Sequence, residues 1–68
     1  MTNTHDVKII EELIIIAIKG KELMIEEIAA AVKINRITAA KYLAVLEAKG
    51  IVKYRPVGKA KLFSEVNP

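Results

Sequence analysis

Residues 25–63 read IEEIAAAVKINRITAAKYLAVLEAKGIVKYRPVGKAKLF, and the change of period within them decides the fold. In IEEIAAAV, Ile25, Ile28, Ala29 and Val32 fall on one side of a helical wheel and Glu26, Glu27 and Ala30 on the other, which predicts a short helix over 25–32. A break follows at 33–35. Asn35 is a good N-cap for a second helix over 36–49, which Gly50 terminates as the residue just past its end. Ala39, Tyr42, Leu43 and Leu46 form the inward stripe of that helix, and Ile37, Lys41, Ala44, Val45 and Ala48 face out, flanked by Arg36 and Thr38. After Gly50 the apolar period drops from about 3.6 to 2, so 51–65 reads as two strands around a turn. A three-residue loop Pro56-Val57-Gly58 fits, with Gly58 in the left-handed region. That register opposes Arg55 to Lys59 and Lys53 to Lys61, placing four cations on one face and Val52, Tyr54, Ala60 and Leu62 on the other.

Upstream, residues 6–19 form an amphipathic helix ending at Gly20, with Ile9, Ile10, Leu13, Ile14, Ile16 and Ala17 on one arc and Lys8, Glu11, Glu12 and Lys19 opposite. The apolar arc runs on through Val7 and Ile18, with Ile15 further round, which is more than one packing partner needs. The surplus is expected to form a homodimer seam of Val7, Ile14, Ile15 and Ile18.

Composition supports a small folded unit. The chain has 68 residues, 53% of them hydrophobic and 17 of them Ile or Val, too apolar for a disordered tail. A single domain spanning 1–68, with its core over about 6–65, is the expectation. Domains of this size are marginal without a staple, and Cys is absent, so a partner subunit is the expected one. Without Cys there is no disulfide scaffold, thiol nucleophile or thiolate zinc site. The single His, His5, is expected to be solvated near the terminus, and no metal or other cofactor is expected. With one Ser, Ser64, and one Asp, Asp6, the usual triad cannot be assembled, and three Gly form no phosphate loop, so an enzyme is not expected. The pairs Glu11/Glu12 and Glu26/Glu27 point about 100° apart on a helix and read as solvated faces. The longest apolar run, Leu13 to Ile18, is six residues against the roughly 20 that span a bilayer, so a soluble, cytoplasmic chain without a membrane partner is expected. The Ile-, Lys- and Glu-rich usage resembles that of thermophiles and archaea.

Charge is uneven. Residues 1–34 carry four Lys against six acids, a balance of −2, whereas 35–68 carry seven Lys or Arg against two acids, a balance of +5. A basic half on a small domain points to a polyanionic partner.

Three helices, a helix-turn-helix at 25–49 and a basic hairpin make a mainly α (α+β) architecture that resembles the winged helix-turn-helix superfamily of small bacterial and archaeal transcription regulators. The resemblance rests on the IA-containing helix, the short turn, the polar helix, an L-x-x-L-E-x-x-G-ϕ-ϕ ending built from Leu43, Leu46, Glu47, Gly50, Ile51 and Val52, and the basic wing. It covers about residues 9–65. It implies a sequence-specific double-stranded DNA-binding protein associated with the nucleoid, in which Ala39, Leu43 and Leu46 hold a recognition helix to the core while Arg36, Ile37, Thr38, Ala40 and Lys41 face the major groove, with Asn35 and Tyr42 at phosphates. Arg36 and Lys41 can donate to guanine or phosphate, Thr38 to either, and Ile37 or Ala40 can touch a thymine methyl. Lys53, Arg55, Gly58, Lys59 and Lys61 would form the wing that meets the backbone or minor groove. Two positions depart from the pattern: Lys33 stands where the turn often has Gly, and Met24 where Ser or Thr would cap the second helix. No small-molecule site is evident. The competing readings are a winged-helix protein-interaction adaptor and a nonspecific chromatin-type binder.

Overall fold

The computed structural model describes residues 4–66, with side chains described from residue 8 onward. Its elements run α1 (Thr4–Ile18), β1 (Leu23–Met24), α2 (Ile25–Val32), α3 (Arg36–Ala48), β2 (Val52–Val57) and β3 (Ala60–Glu65). The expected helices are present, and the hairpin is the larger part of a three-stranded antiparallel sheet ordered β1-β3-β2. β1 is invisible in the sequence because two residues cannot display a period. It pairs Leu23 with Phe63 and Met24 with Leu62.

One core joins every layer. Ile14 and Ile18 of α1, Ile28 of α2, Leu43 and Leu46 of α3, Val52 of β2 and Phe63 of β3 pack together, with no buried polar or charged residue among the described ones. The caps explain where the helices stop. The Asn35 side chain accepts from the Thr38 backbone N–H at 2.7 Å, as expected of an N-cap. Gly50, at φ 78°, closes α3 while its N–H donates to Glu47 O and that of Ile51 to Leu46 O, both at 2.9 Å. At the start of α2 the Met24 side chain supplies no cap, and Glu27 Oε1 instead accepts from the Met24 N–H at 2.7 Å. Lys33 does take the left-handed conformation, φ 66° and ψ 45°, at the end of α2, so the tight turn into α3 is made at the cost of a crowded Cβ.

Two expectations are corrected. On α1, Ile14 and Ile18 are wholly buried within one chain and Ile15 packs partly against the same core, so they are not the free seam that the helical wheel suggests. The apolar side chains that α1 leaves exposed are Ile9, Leu13 and Ile16, which the wheel places on the core-facing arc. The helix has two apolar stripes, and composition alone does not say which one the other helices cover. Val7 and His5 lie outside the residues whose side chains are described.

The hairpin register is the second. The loop is two residues, Gly58-Lys59, with Val57 paired to Ala60, Pro56 to Lys61 and Arg55 to Leu62. Gly58 has φ 61° and Lys59 does not have a positive φ, the pattern of a turn with glycine at its first central position. A shift by an odd number of residues exchanges the faces of a strand. Phe63, not Leu62, therefore joins Val52 and Tyr54 on the core side, and the four cations do not share a face.

Replacing Ile14 by Ala should lower unfolding stability by about 2–5 kcal/mol through cavity formation. Lys33→Gly should raise it by about 0.5–1 kcal/mol as the left-handed strain is relieved. Urea unfolding of both variants checks the core and the turn.

Candidate nucleic-acid interface

The helix-turn-helix fixes the outward face of α3. Ala39, Leu43 and Leu46 turn inward and are buried, as expected, which leaves Ile37, Ala40, Lys41, Ala44 and Val45 exposed. Ile37 is 80% exposed in the first turn, where an isoleucine gains nothing from packing. Thr38 is half-buried beside it. Asn35 is occupied through Oδ1 as the cap, leaving its amide N–H groups free. Tyr42 is half-buried against the core with the Lys41 ammonium 5.9 Å from its ring centre.

The wing rises beside this helix. A groove of about 760 Å³ lies between them, floored by Ile25, Leu43 and Phe63, with Glu26, Arg36 and Glu47 on its helix side and Lys59 and Lys61 on its hairpin bank. Helix and wing therefore border one concavity. On the sheet, Lys53 and Arg55 lie on the outer face with Leu62 and Ser64, whereas Lys61 lies on the opposite face, its ammonium 4.5 Å from the centre of the Tyr54 ring. Tyr54 leans on Phe63, ring centres 5.7 Å apart. Lys59 stands at the turn.

Both arginines are engaged. Arg36 Nε donates to Glu26 Oε2 of α2 at 3.0 Å. Arg55 makes a two-armed contact with Glu22, Nε to Oε2 at 2.8 Å and Nη2 to Oε1 at 2.9 Å. The third ion pair among the described residues, Lys49 with Glu11 at 3.4 Å, ties the end of α3 to α1. No sequence signal announces these partners, because Glu22 and Glu26 are 33 and 10 residues from the arginines they meet. The Arg55 hydrogen bond holds the Glu22 carboxyl below its usual value, and the same contact raises Arg55. Glu26 is also lowered, first by its own backbone N–H and then by the Arg36 hydrogen bond. A carboxylate lowered by folding stabilises the fold above its unfolded value near 4.5, and that contribution is lost as pH falls through the lower folded value. Both pairs are intact at neutral pH. They are exposed, which limits what each contributes to stability.

No protein-family model matches the chain, and no curated protein matches it in sequence. Solved structures do match it in shape. It superimposes on reduced HlyU from Vibrio cholerae with a TM-score of 0.80 at 17% identity over 85% of this chain and 61% of that one. A homodimeric winged helix-turn-helix DNA-binding domain from Mycobacterium bovis, described as a possible ArsR-family transcriptional regulator, matches with a TM-score of 0.77 at 20% identity over 97% of this chain and 74% of that one. Human N-acetylserotonin methyltransferase matches with a TM-score of 0.71 at 13% identity over 90% of this chain but 20% of that one. The chain thus spans about three fifths of the first of these proteins and one fifth of the last. These likenesses establish the winged helix-turn-helix fold, three helices with a hairpin wing on a small sheet.

Gly58→Val should lower stability by about 1–2 kcal/mol through backbone strain alone, because a Cβ there meets nothing within 4 Å. Chemical denaturation checks it, and a loss well above that range would mean that the turn packs against something else.

Proposed function

We propose that the chain is a double-stranded DNA-binding protein that reads sequence with α3 and regulates transcription as a homodimer. The observation that carries the reading is an exposed α3 face bearing Ile37 and Lys41 beside a groove that Arg36, Ala40 and Ala44 of the same helix share with Lys59 and Lys61 of the hairpin. A helix of this width fits the major groove with its N-terminal residues at base edges, and its dipole favours phosphate at that end. Lys59 and Lys61 supply salt-dependent contacts to the backbone or minor groove, aimed by the Gly58 turn. The Mycobacterium bovis domain described as DNA-binding and homodimeric supports the same reading. With no triad, thiol or phosphate loop in its sequence, the chain is read as a binding protein and not an enzyme. No helix among the described residues is long and apolar enough to cross a membrane.

An adaptor role is the second reading, favoured by the apolar share of the α3 face, where Ile37, Ala44 and Val45 outnumber the single cation Lys41. Titrations with preferred and random duplexes at several salt concentrations separate the two. Lys41→Ala should cost about 1–3 kcal/mol on the preferred duplex and flatten preference at one base position. Lys59→Ala should weaken binding on all sequences and reduce the slope of log K against log salt by about 0.9 for each phosphate it no longer neutralises. Failure to bind any duplex, with the fold intact, would hand the reading to the adaptor.

The second subunit is proposed to cover the outer stripe of α1, Ile9, Leu13 and Ile16, of which Ile16 is 65% exposed. Two copies related by a two-fold would then present two α3 helices to half-sites about one DNA turn apart. Sedimentation at micromolar concentration should find a dimer that Ile16→Glu converts to monomer. A monomer throughout, or a dimer indifferent to Ile16→Glu, would reject this seam.

A further inference from the structure

The hairpin is supported along only part of its length. β1 pairs with β3 at Phe63 and Leu62 and goes no further, so beyond the row Met24–Leu62–Arg55 the two-stranded ladder runs on without a third strand through Pro56–Lys61 and Val57–Ala60 to the Gly58-Lys59 turn. Arg55 stands in the last three-stranded row, on the outer edge strand, and Glu22 is the residue immediately before β1 on the far edge. The guanidinium crosses over β3 to reach it and uses both arms, 2.8 and 2.9 Å. This is the planar two-point geometry that only arginine offers a carboxylate, and it fixes direction as well as distance. Lys53, Lys59 and Lys61 make no ion pair with a carboxylate among the described residues.

We infer that Arg55 is a positioning residue: braced on Glu22 across the sheet, it sets the angle at which the wing tip leaves the body, and Lys59 and Lys61 beyond it meet the polyanion. The inference rests on the DNA-binding reading above and departs from the expectation that Arg55 itself neutralises a phosphate. An exposed ion pair adds little to global stability, so variants of the brace remain folded, and thermal melting of each confirms it.

The test is duplex binding by the full chain across a salt series. Glu22→Gln removes a negative charge near a polyanion and should nevertheless weaken binding, by about threefold to fivefold, the upper range of an exposed ion pair. Arg55→Gln should weaken it by a similar factor and leave the salt slope where it was, whereas Lys59→Gln should lower the slope by about 0.9. The exchange Glu22→Arg with Arg55→Glu rebuilds the brace in reverse and should bind better than either of its single changes. Tighter binding by Glu22→Gln, a lower slope with Arg55→Gln, or an exchanged pair no better than its single changes would overturn the inference and make Arg55 a phosphate contact. In each of those cases the wild-type chain still binds duplex and Lys59→Gln still lowers the slope, so the DNA-binding reading stands. A wild-type chain that binds no duplex overturns both.

Discussion

Everything on the surface of this domain depends on seven apolar side chains that meet at its centre. Ile14, Ile18, Ile28, Leu43, Leu46, Val52 and Phe63 come from all three helices and two of the strands, and no element can leave that cluster without exposing its share of it. A chain of 68 residues buries a modest fraction of its surface and has no disulfide to compensate. The core is therefore shared between neighbours, and its cost of disruption is spread over them. The same requirement orients α3. Its buried residues, Ala39, Leu43 and Leu46, are three and four apart, so the opposite face is turned to solvent by geometry and not by any polarity of its own. That is why an isoleucine and two alanines can stand there beside Lys41.

How far the sequence can be read follows from how local each signal is. Helix ends are legible because a cap is decided within four residues: Asn35 with the Thr38 N–H, Gly50 with the carbonyls of the turn before it. The strain at Lys33 can also be anticipated, since only the connection between two helices is needed to place a left-handed residue there. The wing is harder. Pro-Val-Gly and Gly-Lys both make acceptable loops, and choosing between them shifts the register by an odd number, which exchanges Leu62 for Phe63 in the core and separates Lys61 from Lys53. The observed register puts Phe63 into a core that all three helices share, and no short window contains those partners. On α1 the helix is plain and its facing is not, because Ile9, Leu13 and Ile16, like Ile10, Ile14 and Ile18, recur at the three- and four-residue spacings of a helical stripe. Which stripe is inside is settled by α2, α3 and β3.

The charge count of the second half likewise needs the fold to become informative. A balance of +5 over residues 35–68 is the same whether the cations are free or neutralised by the acidic first half. In the folded chain Arg36, Lys49 and Arg55 are all met by glutamates from residues 11–26, while Lys41, Lys53, Lys59 and Lys61 have no such partner among the described residues. The division is partly chemical, since both arginines are paired and Lys49 is the one paired lysine among the described residues. A guanidinium offers a fixed fork and suits a structural contact, whereas an ammonium on a flexible stem remains hydrated and can follow a phosphate. Both arginines and Lys49 thus tie elements together, and Lys41, Lys53, Lys59 and Lys61 give the surface its positive field.

On the proposed reading, the outer stripe of α1 would link stability to function. Three large apolar side chains repeating along one helix are a continuous patch, and a monomer of this size has little spare burial to offset their exposure. Covering them with a second copy would add to the same energy balance that the shared core closes narrowly, so folding and association would be concentration-dependent together. It would also fix the separation of the two α3 helices, because α1 packs against α2 and α3 within each subunit and a two-fold through α1 carries those elements with it. Half-site spacing would then be a property of α1, not of the residues proposed to touch DNA. A change at the seam would alter recognition while leaving the α3 face and the wing untouched.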